Sequence, residues 1–218
     1  MTVETRELSK LIDEVRFNAN CTDTNRYSDD RLILFFNSAQ RQLQKVIFNS
    51  NPTNSPFQEM ASLTLQPNVN SYELPDDMFA VASVRNVTPI NFNGKATNSL
   101  RKMTEKERNS QRGYYLMKNF IHFAPSSLGN EYSTIAITYD KVLEEITSVS
   151  DTIELPATCE DFLMAFVERK INYVDSSKDI SNSQIFTAEE KEEIVAMFKE
   201  DIKDIEYPPI VDETYLNY

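Results

Sequence analysis

Residues 28–65 read SDDRLILFFNSAQRQLQKVIFNSNPTNSPFQEMASLTL, and their hydrophobic period changes once. In the first half Leu32, Phe35, Phe36, Ala39, Leu43, Val46 and Ile47 form one apolar stripe at helical spacing. Ser28 is a good N-cap, and Asp29 and Asp30 put negative charge in the first turn, where the helix dipole favours it. Residues 49–56, with two prolines, two serines and three asparagines, end the helix and read as a loop. Beyond them Met60, Ser62, Leu63, Thr64 and Leu65 no longer recur at helical spacing, so the chain passes from helix to strand near residue 57.

Working outward, residues 4–17 carry Leu8, Leu11, Ile12 and Val15 at helical spacing and predict a first helix. Downstream, Pro67-Asn68-Val69-Asn70 reads as a turn into Ser71-Tyr72-Glu73-Leu74, so a hairpin with the preceding strand is expected. Residues 79–87 predict another strand, and 99–108 a short, polar, basic helix. The strand pair 114–117 and 120–123, joined by Lys118-Asn119, predicts a second hairpin, and 134–142 is a strand rich in β-branched residues. Helices then return. Thr158 with Asp161 resembles a capping box opening a helix to about residue 175, and Thr187 with Glu190 is a better box for a helix through Ile194, Met197, Phe198 and Ile202. Tyr207-Pro208-Pro209 stops it, leaving an extended tail. Glu-Leu-Pro recurs at 73–75 and 154–156, each time marking a corner. The expected class is α+β: residues 1–56 and 157–206 form a helical bundle, 57–156 a β-rich insertion of five or six strands, and 207–218 an extended C-terminal arm.

The 218 residues fit one domain, or one domain with a substantial insertion. Lys and Arg number 22 against 34 Asp and Glu, a net charge of −12. Residues 157–218 hold 15 acidic and 6 basic side chains, or −9, which argues against a surface that grips nucleic acid throughout. Residues 85–118 run the other way, with eight basic side chains against two acidic, or +6. Within them Arg101, Lys102, Lys106, Arg108 and Arg112 are candidate contacts to DNA or to an acidic partner, and the plainer reading is a solvated face. The acidic C-terminal helix is either a solvated face or the negative lining of a passage through which DNA slides without sticking. No apolar run approaches the roughly 20 residues that span a bilayer, and the polar start carries no export signal, so no membrane partner is expected. Two distant cysteines, Cys21 and Cys159, fit a reducing compartment, which points to assembly in a cytoplasm.

Glycine is scarce at three residues, and none lies in a phosphate loop, dinucleotide fingerprint or nucleophile elbow, so no cofactor is expected. The single histidine, His122, reads either as a general base or ligand or, more plainly, as a strand residue with a local partner. Asp76, Glu168 and Lys170 are the pieces from which a metal-dependent nuclease or other hydrolase would be built, with about ninety residues between the first and the rest.

The stretch Asp30-Arg31-Leu32-Ile33-Leu34-Phe35-Phe36-Asn37-Ser38-Ala39-Gln40, followed by the β entry Ser71-Tyr72-Glu73-Leu74-Pro75-Asp76-Asp77-Met78-Phe79-Ala80-Val81, resembles the head-to-tail adaptor proteins of short-tailed bacteriophages. Phe123-Ala124-Pro125, Ile137-Thr138-Tyr139 and Ile153-Glu154-Leu155-Pro156 before Asp161-Phe162-Leu163 continue the likeness, which covers most of residues 5–205. The 19 asparagines with little glycine point to an AT-rich genome, as in crAss-like phages, whose comparable proteins are called ring proteins. The resemblance implies a structural virion protein without enzymatic activity. It implies a homo-oligomeric ring, commonly of twelve copies, on the portal protein at the packaging vertex. Such a ring extends the DNA channel, docks tail or further ring proteins and helps retain the genome. The Tyr207, Ile210, Val211, Tyr215, Leu216 and Tyr218 side chains give the arm an apolar content suited to docking on a neighbouring subunit or the portal, at roughly 1.5–3 kcal/mol per fully buried large aliphatic. A virion-assembly chaperone is the remaining alternative.

Overall fold

The computed structural model describes residues 7–21, 23–50, 55–107, 112–125, 128–175 and 186–200. They fall into two compact units, one from residues 1–55 and 145–218, the other from 56–144. Among the described residues five helices and two small antiparallel sheets make the class α+β.

In the first unit, α1 (Leu8–Asn18) buries Leu8, Leu11, Ile12 and Val15, the four residues whose spacing predicts it. Its N-cap Glu7 makes no side-chain cap. The first amides are satisfied by main chain instead: Leu8 N–H donates to Asp151 O at 3.1 Å and Ser9 N–H to Val149 O at 3.0 Å. α2 (Asp29–Ser50) starts where Ser28 predicts, the Ser28 hydroxyl accepting the Arg31 N–H at 3.4 Å. Its buried face holds Leu32, Ile33, Phe36, Ala39, Leu43 and Ile47, and also the polar Asn37, Gln40 and Gln44. Asn37 earns its burial: Nδ2 donates to Ile146 O at 2.8 Å and Oδ1 accepts the Ile146 N–H at 2.9 Å.

α4 (Glu160–Asp175) differs from expectation at its start. Ala157–Cys159 already form a 3-10 turn, in which the Cys159 N–H donates to Pro156 O at 2.8 Å. The proline carbonyl opens the helical backbone, so Thr158 lies inside it and no Thr158–Asp161 box caps the end. α5 (Ala188–Glu200) is capped as read, with Thr187 Oγ1 accepting the Glu190 N–H at 3.1 Å and Glu190 Oε2 accepting the Thr187 N–H at 2.8 Å. The other Glu190 oxygen accepts Arg169 Nη1 at 2.7 Å and ties α5 to α4. α4 lies against α1 and α2, and α5 against α2. Leu163, Phe166, Val167, Ile171 and Ile194 are fully buried there. The 207–209 stop lies outside the described residues.

Among its described residues the second unit holds six strands in two sheets, β1 (Gln58–Thr64), β6 (Tyr132–Asp140) and β3 (Val84–Asn91) in the order β1-β6-β3, and β2 (Ser71–Glu73), β5 (Phe120–Ala124) and β4 (Gly113–Met117) in the order β2-β5-β4. Val87, Ile135, Ile137 and Tyr139 of the first sheet and Tyr114, Ile121 and Phe123 of the second share one core with Leu65, Leu74 and Leu128. The β4–β5 hairpin forms as expected, with Lys118 in the left-handed region at its turn.

The expected β1–β2 hairpin does not form, because the two strands belong to different sheets. At 66–70 the chain crosses between them: Val69 N–H donates to Gln66 O at 3.2 Å, Asn68 takes φ 62°, and the Tyr72 hydroxyl accepts the Gln66 N–H at 2.7 Å. β1 pairs instead with β6, seventy residues on, whose Ile135, Ile137 and Tyr139 are all buried. A long apolar alternation outcompetes the three-residue β2 as a partner. The one-turn helix α3 (Leu128–Glu131) sits against this crossing, and a Cβ at Gly129 would overlap the Gln66 carbonyl. β3 begins at Val84, after a 3-10 turn at Val81–Ser83. Pro89 is tolerated inside it because β3 is a sheet edge.

Candidate partner interface

The described part of the expected basic helix, residues 99–107, is not helical as a whole. Segment 95–103 is extended and lies along two strand edges in turn. Asn91 N–H donates to Lys95 O at 3.0 Å, Thr97 N–H to Pro89 O at 2.9 Å and Leu100 N–H to Val87 O at 2.7 Å along β3. Tyr114 N–H then donates to Arg101 O at 3.0 Å, and Met103 N–H to Tyr114 O at 2.8 Å, along β4. A Cβ at Gly113 would overlap the Arg101 carbonyl, so the absent side chain lets the basic segment approach. Leu100 and Met103 turn inward while Arg101 and Lys102 stay exposed. Among its described residues only Glu105–Glu107 is helical, as a single 3-10 turn. There Glu107 Oε2 accepts the Thr104 N–H at 2.7 Å and its hydroxyl at 2.8 Å, and these bonds hold the Glu107 carboxyl below its ordinary range.

The basic residues are thus unequal. Arg112 donates to Glu131 Oε2 at 2.7 Å and to the Tyr132 hydroxyl at 2.8 Å, with its guanidinium 5.2 Å over the Tyr132 ring. Arg85, also in the positive stretch, is spent on Asp140, which accepts both Nε at 2.9 Å and Nη2 at 2.6 Å. Arg101 stands 3.8 Å from Glu107 in an exposed pair of little energetic weight. Lys102 and Lys106 are exposed, and Lys102 borders a cleft with Val81, Met103, Thr104, Tyr115 and Met117. Arg108 lies outside the described residues, as does the whole 207–218 arm with Tyr207, Ile210, Val211, Tyr215, Leu216 and Tyr218.

Exposed apolar side chains were not singled out by the sequence. Phe92 stands at the turn after β3, Met117 and Phe120 flank the β4–β5 turn, and Phe17 and Leu34 are exposed on the helices. Their signal was hidden, since alternation shows that a face is apolar but not what covers it.

Compared with known families, residues 6–204 match the SU10 adaptor protein family. The chain belongs to that family. It is a phage head-to-tail adaptor, a structural virion protein that interacts with other head and tail proteins and not a member of an enzyme family. No curated protein matches the chain.

Two of the three groups considered for chemistry, Glu168 and Lys170, have structural employment in this SU10 adaptor. Glu168 accepts Asn18 Nδ2 at 2.9 Å, Arg169 is bound to Glu190, and Lys170 donates to the Ser38 hydroxyl at 3.1 Å, within 5.6 Å of the Phe35 and Phe166 rings. Burial lowers the Lys170 pKa. Among the described residues no three His, Cys, Asp or Glu side chains come together to hold a metal. His122 is a strand residue stacked on Tyr115 with ring centroids 4.8 Å apart. Both cysteines are buried and neither is in a disulfide, and burial pushes the Cys159 thiol up to about 12. No helix of the described residues is long and apolar enough to cross a membrane.

Proposed function

We propose that this adaptor assembles as a closed ring of twelve copies beneath the portal, at the packaging vertex of the virion. It lengthens the DNA channel there and offers a platform for tail or further ring proteins. Family membership across 6–204 is the observation that carries this reading. A closed ring repeats each weak contact around its symmetry, so no single site need be strong. Exposed Phe17, Leu34, Phe92, Met117 and Phe120 supply apolar contact area for such neighbours. The arm, through Tyr207, Ile210, Val211, Tyr215, Leu216 and Tyr218, docks on a neighbouring subunit or the portal. The exposed Arg101, Lys102 and Lys106, with Arg108 and Arg112, meet an acidic partner surface or DNA. A net charge of −12 suits a conduit that lets DNA pass without sequence-specific binding. Assembly takes place in the host cytoplasm, with 1–56 and 157–206, 57–156 and 207–218 as the working parts.

Light scattering on the purified chain, alone and with its portal at several concentrations, tests this. Rings that form only with the portal are the expected result, and a monomer that never engages the portal overturns it.

A further inference from the structure

We infer that the outer edge of β1 receives residues 210–218 of a neighbouring copy as an added strand, an inference that rests on the ring reading above. The phase of the β1–β6 ladder is set by two bonds at its ends, Leu65 N–H to Ser133 O and Lys141 N–H to Phe57 O, both 2.9 Å. Odd-numbered residues of β1 therefore bond to β6, and the main-chain groups of Met60, Ser62 and Thr64 point the other way. Among the described residues no main-chain group meets them. The Met60 N–H reaches only its neighbour's carboxylate, Glu59 Oε1, at 3.4 Å, and Met60 is 68% exposed.

The other edges of this unit differ. Segment 95–100 lies along β3 and 101–103 along β4, and β2 is three residues long. β3 is further broken by register shifts at Val84/Asn86 and Ile90/Asn91. β1 runs seven residues in unbroken register and contains no proline, lysine or bulge. Such an edge is a template for pairing with another chain, and soluble proteins normally blunt it.

Symmetry and length select the occupant. Two β1 edges pairing with each other would make a two-fold dimer, whereas a ring of more than two copies needs two different surfaces at each contact. The complementary segment must then be another part of the chain. After Pro208-Pro209 come nine residues, Ile-Val-Asp-Glu-Thr-Tyr-Leu-Asn-Tyr, without glycine or proline and rich in β-branched and aromatic types. Extended, they span roughly 30 Å, enough to cover β1 from end to end.

Ser62→Pro is the discriminating variant. It deletes an amide that β6 does not use and places a ring on the outer edge, so the β1–β6 ladder keeps its bonds. The expected result is a subunit with unchanged thermal unfolding whose ring assembly on the portal weakens at least tenfold. In parallel, full-length Ser62→Cys and Thr214→Cys proteins are mixed during assembly and treated with a short bis-maleimide, which should link the two proteins covalently. Wild-type-like assembly of Ser62→Pro overturns the inference, and so does the absence of that cross-link in formed rings. If Ser62→Pro fails to fold, the cross-link alone decides. Failure of the unaltered chain to form rings with the portal removes the ring reading and this inference together. Rings from the unaltered chain with neither effect remove the β1 assignment alone.

Discussion

At Asn37 a side-chain amide stands in for a strand neighbour, making both bonds that a backbone partner would make to Ile146. Both residues are buried, so truncation strands a donor and an acceptor away from water. Asn37→Ala is expected to cost about 2–4 kcal/mol, read as a lower urea midpoint with an unchanged slope. Gly113 is the converse case, where the absence of a side chain matters. Gly113→Ala places a methyl group against the Arg101 carbonyl and is expected to cost about 1–3 kcal/mol. It also frees segment 101–103 from β4, and limited trypsin digestion should then cut after Arg101 and Lys102 far faster than in the unaltered protein. Neither residue announces itself in the sequence. An asparagine inside an apolar stripe and an isolated glycine acquire meaning only from a backbone that arrives from elsewhere in the chain.

Among the elements, α5 shows how far local signals reach. Its Thr187–Glu190 box is legible because both bonds close within four residues. The third partner, Arg169, comes from another helix and is not legible. Burial pushes the Glu190 carboxyl up, but the bonds from Arg169 and from Thr187 outweigh it and hold the group below its ordinary range. A depressed carboxyl stabilises the fold above its unfolded-state pKa, about 4.3, and that contribution is lost as pH falls through the folded value. Glu190→Gln is accordingly expected to lower the urea midpoint at pH 7, with the gap from the unaltered protein closing below about pH 4. An equal gap at both pH values would show that the charge of Glu190 contributes nothing. Segment 95–103 is the opposite case. Leu100 and Met103 are three apart, which suits a helical face, yet the free edges of β3 and β4 take the same residues as extended chain. Edge hydrogen bonds made over distance prevail over a weak local preference.

For the whole molecule, function lies in surfaces. Removing residues 208–218 is expected to leave thermal unfolding of the subunit unchanged while lowering its incorporation into particles at least tenfold, since one fully buried large aliphatic supplies about 1.5–3 kcal/mol. Normal incorporation of the truncated chain, measured by quantitative mass spectrometry of purified virions, would remove the docking role. By itself the sequence determined the α+β class, the apolar faces of α1 and α2, the β4–β5 hairpin, the α5 cap and the likeness to head-to-tail adaptors that the family match bears out. The helical faces, the hairpin and the cap are written in residues a few positions apart, where periodicity and capping chemistry act directly, and the class and the likeness in the order of such elements along the chain. Tertiary structure alone decided that β1 joins β6 and leaves β2, that the basic segment is extended, and that Asn37 is buried. These outcomes hang on contacts that reach beyond one local element, from about ten positions for the basic segment to more than a hundred for Asn37, and a strand's alternation records which face is apolar but not which strand will lie beside it.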